Sequence, residues 1–244
     1  MRSKALVRFL NRAARFDTDI ELVDVLCVAA EAGDLTPVTG EPLLAHIDPV
    51  AHPRLAKAKV TDHNRQLVIG HLRKTVYVSY IKDLYEDFGQ YLDELIISAN
   101  NKGLSPHQLR GEHRLLLSAD EILESGSWDN VLGVIAESLQ RRLDTMGNVK
   151  KLAFLDKKLG LELDHAVVTP AMSFLDLRHL LVHADGTADA AFCEKYPSFR
   201  ARPGESVKVA EGTTRDARAA ITSLVEHIDA KAVHVGVLAE ADQQ

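Results

Sequence analysis

Cysteine is scarce in this sequence: Cys27 and Cys193 are the only two in 244 residues, they lie far apart, and no CxxC pair occurs. A disulfide framework and a thiolate zinc site are therefore not expected, and a reducing, cytoplasmic setting is. Aromatic residues supply only 5% of the chain, so the apolar fraction of 46% rests on Leu, Ala and Val in helix-compatible spacing. That composition favours an α-rich fold. No uninterrupted apolar run approaches the ~20 residues a membrane-spanning helix needs. The longest candidate, Leu22 to Ala30, is broken by Asp24, so no membrane partner is expected. A Gly-rich phosphate loop, a nucleophile elbow, an HExxH pair and internal repeats are also missing. Basic residues number 29 against 35 acidic ones, a net charge of -6. This excess of acid argues against a general nucleic-acid coat but leaves room for a local basic site.

What is present reads as one large domain with an extension. Residues 1–60 are punctuated by Gly33, Pro37, Gly40, Pro42, Pro49 and Pro53, and are expected to hold one or two short helices. Their start carries Arg2, Lys4, Arg8, Arg12 and Arg15, as a transit peptide would. Leu6, Phe9, Leu10, Ala13 and Phe16, however, make a helical stripe suited to docking on the rest of the chain or on a partner.

Residues 61–244 form the main domain. From Asp62 a long helix is expected, because Leu72, Val76, Tyr80, Leu84, Phe88, Leu92 and Leu95 recur at spacings of three and four. Ser105-Pro106 and the Ser118/Glu121 capping box predict short helices over 106–125. Val131, Ile135, Leu139 and Met146 predict another helix, which Val149 to Leu159 extends or follows before stopping at Gly160. Thr169-Pro170 is expected to open the helix that carries Phe174, Leu177 and Leu181 and ends near Gly186. The segment Phe199 to Glu211, with Pro203-Gly204 at its middle, predicts a β-hairpin, and a closing helix begins at Thr213 or Thr214. The fold class expected is all-α, a bundle of antiparallel helices with a small hairpin before the last one.

Two groups of residues stand out chemically. Arg141, Arg142, Lys150, Lys151, Lys157 and Lys158 place six cations within eighteen residues; this is either a basic substrate-binding stretch or a solvated helix face. The other is Arg178-His179-Leu180-Leu181-Val182-His183-Ala184-Asp185-Gly186. Here an Arg and a second polar residue precede three aliphatics and a His at the helix end, beside Asp-Gly.

That arrangement resembles the HEPN superfamily. Its signature is Arg, usually a polar residue, three mostly apolar residues and His, often followed by a small or acidic residue and Gly. The resemblance spans about residues 62–232 and is specific over 178–186; His179 stands where Asn is frequent. It implies a HEPN-like helical bundle and a metal-independent endoribonuclease without a cofactor, acting as a toxin or antiviral-defence effector. It further implies a homodimer whose two signature helices form one composite site, with RNA as substrate and an antitoxin or other regulatory protein as partner. Arg178 and His183 would be catalytic, with His179 assisting.

The chemistry of the side chains is compatible. A guanidinium holds a phosphate bidentately and stabilises charge that builds on it, and an imidazole exchanges protons near neutral pH. Arg178 and His183 nevertheless stand ~140° apart on an ideal helix, so a frayed last turn or a second copy of the motif would be needed to bring them to one phosphate. Two other readings remain open. Asp176, His179 and His183, at i, i+3 and i+7, share a helix face and could bind a metal. Alternatively, the motif could only cap a helix within a noncatalytic dimerisation or nucleotide-sensing module.

Overall fold

The computed structural model describes residues 2–36, 42–101, 118–127, 130–131, 134 and 146–238. Among these residues the structure is helical, without a strand: α1 (Lys4–Ala32), α2 (Pro53–Ala56), α3 (Asp62–Asn101), α4 (Ala119–Glu124), α5 (Asn148–Leu159), α6 (His165–His183), α7 (Ala190–Lys195) and α8 (Glu211–His234), with a 3-10 turn at Pro197–Phe199. The all-α expectation holds. No described helix is long and apolar enough to cross a membrane. Arg141, Arg142, the Ser105-Pro106 cap and most of the helix expected over 131–146 lie outside the described residues.

Local chemistry explains several helix boundaries. The Ser3 hydroxyl accepts from the Leu6 amide at 3.1 Å and so caps α1. The Thr61 hydroxyl does the same for Asn64 at the start of α3. Ser118 and Glu121 form the reciprocal capping box of α4. Gly160 ends α5 in the left-handed region at φ 62°.

Three expectations are corrected. Among the described residues, the first 60 hold one 29-residue helix and a four-residue one, not one or two short ones. Every proline and glycine in that region lies at or beyond Gly33, so nothing interrupts α1 before then. Next, α6 opens at His165, ahead of Thr169-Pro170. The Asp164 side chain accepts from the Ala166 amide at 2.8 Å, and Pro170 sits inside the helix, where it forfeits one backbone bond. Lastly, Phe199 to Glu211 forms no hairpin. The chain instead bridges Thr187 to Ser206 in one isolated antiparallel pair, with Val207 N–H donating to the Gly186 carbonyl at 2.9 Å.

The chain divides into two compact units, both discontinuous in sequence. Unit 1 comprises 1–11, 84–179 and 218–244, and unit 2 comprises 12–83 and 180–217. The core of unit 1 comes from α1, α3, α6 and α8: Leu6, Phe9, Phe88, Tyr91, Leu92, Leu95, Leu177, Leu224, Val225 and Ile228 are all at most 2% exposed. Burying each such large side chain contributes about 1.5–3 kcal/mol. Phe9 meets Tyr91 edge-on, and the Arg8 guanidinium grips Glu94 through both carboxylate oxygens. At the centre of unit 1, Asp229 is fully buried and accepts from the Ser3 amide at 3.0 Å, from the Ser3 hydroxyl, and from Tyr91 Oη at 3.3 Å. In unit 2 a small cluster of Cys27, Ala30 and Ile69 forms a core, and Arg73 bridges Glu31 at 2.7 Å and Asp24 at 3.3 Å. A second group in unit 2 joins Phe192, Tyr196 and Phe199 ring to ring.

Candidate functional site: the end of helix α6 and the cavity beside Arg178

Helix α6 carries the Arg178–His183 motif and closes on its last residue, His183. The closure is built by the residues that follow. Asp185 and Gly186 both adopt left-handed backbone, at φ 50° and 77°. The Gly186 amide then reaches back to the Leu180 carbonyl at 2.9 Å, satisfying an orphan acceptor of the last turn. Glycine is required at this point, because a Cβ would lie 3.2 Å from Ser206 Oγ as well as in a strained backbone region. The Asp-Gly pair after the motif is thus the device that ends the helix on His183.

Arg178 lies in unit 1, half-buried. Its guanidinium carbon stands 4.3 Å from the centre of the Tyr85 ring, and one terminal nitrogen donates to Glu86 Oε1 at 2.7 Å. Its Nε is buried and has no acceptor among the described residues. A cation stacked on an aromatic face is attracted to the ring quadrupole, and the stacking fixes the plane of the guanidinium fork. His179 and His183 are both exposed, and His183 falls in unit 2, five residues and so ~140° around the axis from Arg178. The three groups named from the sequence therefore point in more than one direction from a single α6. Among the described residues, no three His, Cys, Asp or Glu side chains come together as a metal site, and that includes Asp176, His179 and His183.

Beside Arg178, within unit 1, lies an open cavity of about 360 Å³ lined by Tyr85, Gly89, Gln90, Asn148, Lys151 and Arg178, with Glu86, Asp93 and Met146 completing the wall. It exists because α5 approaches α3 closely over a glycine: a Cβ on Gly89 would lie 3.0 Å from Asn148 Nδ2. Asn148, the first residue of α5, donates from its backbone to Tyr85 Oη at 3.2 Å and from its amide to the Tyr85 carbonyl at 3.0 Å. Lys151, one turn further on, is only 4% exposed and is paired with Asp93 at 2.5 Å.

No family model, curated protein or solved structure matches the chain. The site thus rests on its own geometry.

The structure brings two of the sequence-predicted residues, Arg178 and Lys151, to one cavity. Lys150, by contrast, is exposed to solvent. Sequence reasoning missed Tyr85, Glu86 and Asn148. Tyr85, Glu86, Gly89, Gln90 and Asp93 recur at three and four along α3, a polar stripe with a glycine at its centre inside an otherwise apolar helix. That interruption is the signal from which they could have been found.

Proposed function

We propose that the chain is a metal-independent endoribonuclease with a HEPN-like fold, working as a homodimer in toxin or antiviral-defence chemistry. The observation that carries this reading is the position of Arg178: planar, stacked, and lining an open polar cavity on a helix that terminates at His183. In the reaction, a ribose 2′-hydroxyl attacks the adjacent phosphorus. The new O2′–P bond replaces the P–O5′ bond, leaving a 2′,3′-cyclic phosphate and a 5′-hydroxyl. An imidazole takes the 2′ proton and returns one to the departing oxygen, which is the work of His183, with His179 beside it. Arg178 stabilises the charge on the phosphoryl oxygens. Since Arg178 and His183 diverge around one α6, the second helix of a twofold pair supplies the missing partner for each. The exposed Lys150 lies on the same element as Lys151 and would steer the polyanion.

A noncatalytic dimerisation or nucleotide-sensing module is the second reading. The observation favouring it is the Arg178–Glu86 ion pair, which gives the arginine a structural task of its own. Cleavage of a mixed-sequence RNA in EDTA separates the two. His183→Ala is expected to lower the rate by about 10²–10⁴-fold with the fold and dimer intact, and Arg178→Lys to be strongly impaired because it loses the planar fork. Persistent cleavage in both variants, or equal cutting of the DNA analogue, would remove the ribonuclease assignment from this site.

A further inference from the structure

The cavity beside Arg178 has a charge balance that narrows what can occupy it. Its two cations are each already paired, Arg178 with Glu86 and Lys151 with Asp93. A phosphate dianion seated inside the cavity would meet Glu86 and Asp93 along with the two cations, so the interior suits a neutral group and the scissile phosphate is left to the edge of the Arg178 fork at the cavity's rim. A divalent cation would have to take carboxylates away from existing partners, one of them the buried Lys151. An apolar ligand would strip water from the exposed Gln90 and Glu86 and return no hydrogen bonds.

What the wall does offer is suited to a flat, neutral, hydrogen-bonding group. The Arg178 guanidinium, its central carbon 4.3 Å over the Tyr85 ring, is a planar group, and bases stack on such arginine planes in single-stranded RNA recognition. Two carboxamides line the same space: Gln90 at the exposed mouth, and Asn148, held in orientation by its bond to the Tyr85 carbonyl. Carboxamides pair with base edges through a donor and an acceptor together. Gly89, lacking a side chain, lets the Asn148 carboxamide pack directly against α3. The volume of about 360 Å³ falls at the small end of ligand pockets, enough for one base with its sugar.

We propose that this cavity is a nucleobase-binding subsite, in which the guanidinium of Arg178 serves as stacking platform and Gln90 and Asn148 read the base edge. In the context of the ribonuclease reading, on which this extension rests, it holds the base next to the cleaved phosphate and confers a base preference. The same pocket would accept the base of a free nucleotide, so the two sources must be told apart.

The three methionines make the test direct. Met146 lines this cavity and Met172 lines a separate one among Val149, Leu152, Leu163 and Val168. With methyl-labelled methionine, the full-length protein is titrated with each of the four uncharged nucleosides, the corresponding 5′-monophosphates and an uncleavable 2′-O-methyl oligonucleotide. The proposal expects at least one nucleoside to shift the Met146 signal while that of Met172 stays still. It also expects Gln90→Ala, an exposed position compatible with folding, to weaken that binding by about tenfold. Oligonucleotide binding at least tenfold tighter than the monophosphate identifies RNA as the source; equal affinities identify a free nucleotide. A Met146 signal unmoved by every nucleoside at millimolar concentration, or equal affinities in wild type and Gln90→Ala, overturns the subsite. Because none of these ligands needs to be cut, failure to cleave RNA would sink the nuclease reading while leaving this result standing, and the converse also holds.

Discussion

Asp229 offers the most severe test of how unit 1 is held together. Its carboxylate is fully buried and has only acceptors, and it takes three hydrogen bonds, from the Ser3 amide, the Ser3 hydroxyl and the Tyr91 phenol. Asp229→Asn keeps the shape but turns one acceptor into a donor. Placed toward the Ser3 amide, that donor meets another donor; turned the other way, it meets the Ser3 and Tyr91 hydroxyls, and whichever accepts from it leaves its own proton without the carboxylate oxygen it had. Loss of one charge-assisted bond plus an unsatisfied buried donor should cost about 3–5 kcal/mol. For a chain of this length, at about 2–4 °C per kcal/mol, the thermal midpoint should fall by roughly 6–20 °C. Ser3→Ala removes a hydroxyl bond and the helix cap together and should cost about 2–4 kcal/mol. Tyr91→Phe loses only the longer 3.3 Å bond, for about 1 kcal/mol. The assay is thermal melting by circular dichroism of the wild type and the three variants, with the Ser3→Ala/Tyr91→Phe double variant to measure their coupling. A midpoint for Asp229→Asn within about 2 °C of wild type, or a Tyr91→Phe loss larger than that of Asp229→Asn, would refute the reasoning.

Burial, and then Asp229, raise the Tyr91 phenol well above its ordinary range. The unfolded chain therefore gives up this proton first: stability should be fully present below about pH 10 and decline above it by up to ~1.4 kcal/mol per pH unit. In Tyr91→Phe that part of the decline should vanish in alkaline denaturant titrations. Gly186→Ala should cost about 1–3 kcal/mol, because strain at φ 77° adds to the approach on Ser206, whereas Gly204→Ala, at φ 85° in open space, should cost about 1 kcal/mol. Equal urea midpoints for the two would show that Ser206 yields freely. Asp93→Asn should cost about 1–3 kcal/mol by leaving Lys151 buried without its counter-charge, and Lys151→Met should cost less, because Asp93 is 37% exposed and water can solvate it. The reverse order in urea denaturation would show that the lysine's packing, and not its charge, is what the site needs.

The helices were legible where one signal decided them. From Asp62 the apolar period runs unbroken to Ile96, and at Gly160 and Gly186 a glycine is needed for left-handed backbone, so those ends could be placed from the sequence. Thr169-Pro170 misled because a proline fits a helix start so well; Asp164 caps equally well and stands five residues earlier. Phe199 to Glu211 has the alternation of a hairpin, yet its Ser206 finds a backbone partner at Thr187, behind α7, a pairing that no local pattern announces. Within the candidate site, Arg178 was visible from its motif. Lys150 and Lys151 looked alike, and only the docking of α5 on α3 separates an exposed cation from one that is 4% exposed and paired. Tyr85 and Glu86 were invisible as site residues because an aromatic and an acid on a long amphipathic helix carry no mark of their partner.

The discontinuity of the two units bears on how this chain is made. Unit 1 needs residues 1–11 and also residues beyond 218, and unit 2 begins at Arg12 but needs residues up to Ala217. On a ribosome adding about 5–20 residues per second, α1 therefore waits roughly 10–40 s for the segments that complete either core. During that interval Leu6, Phe9 and Ala13, all buried in the finished protein, face solvent or a chaperone. Neither unit can close its core until the residues up to and beyond Ala217 have emerged, and a chain stalled or truncated before that point would present the apolar face of α1, an aggregation-prone surface, to solvent.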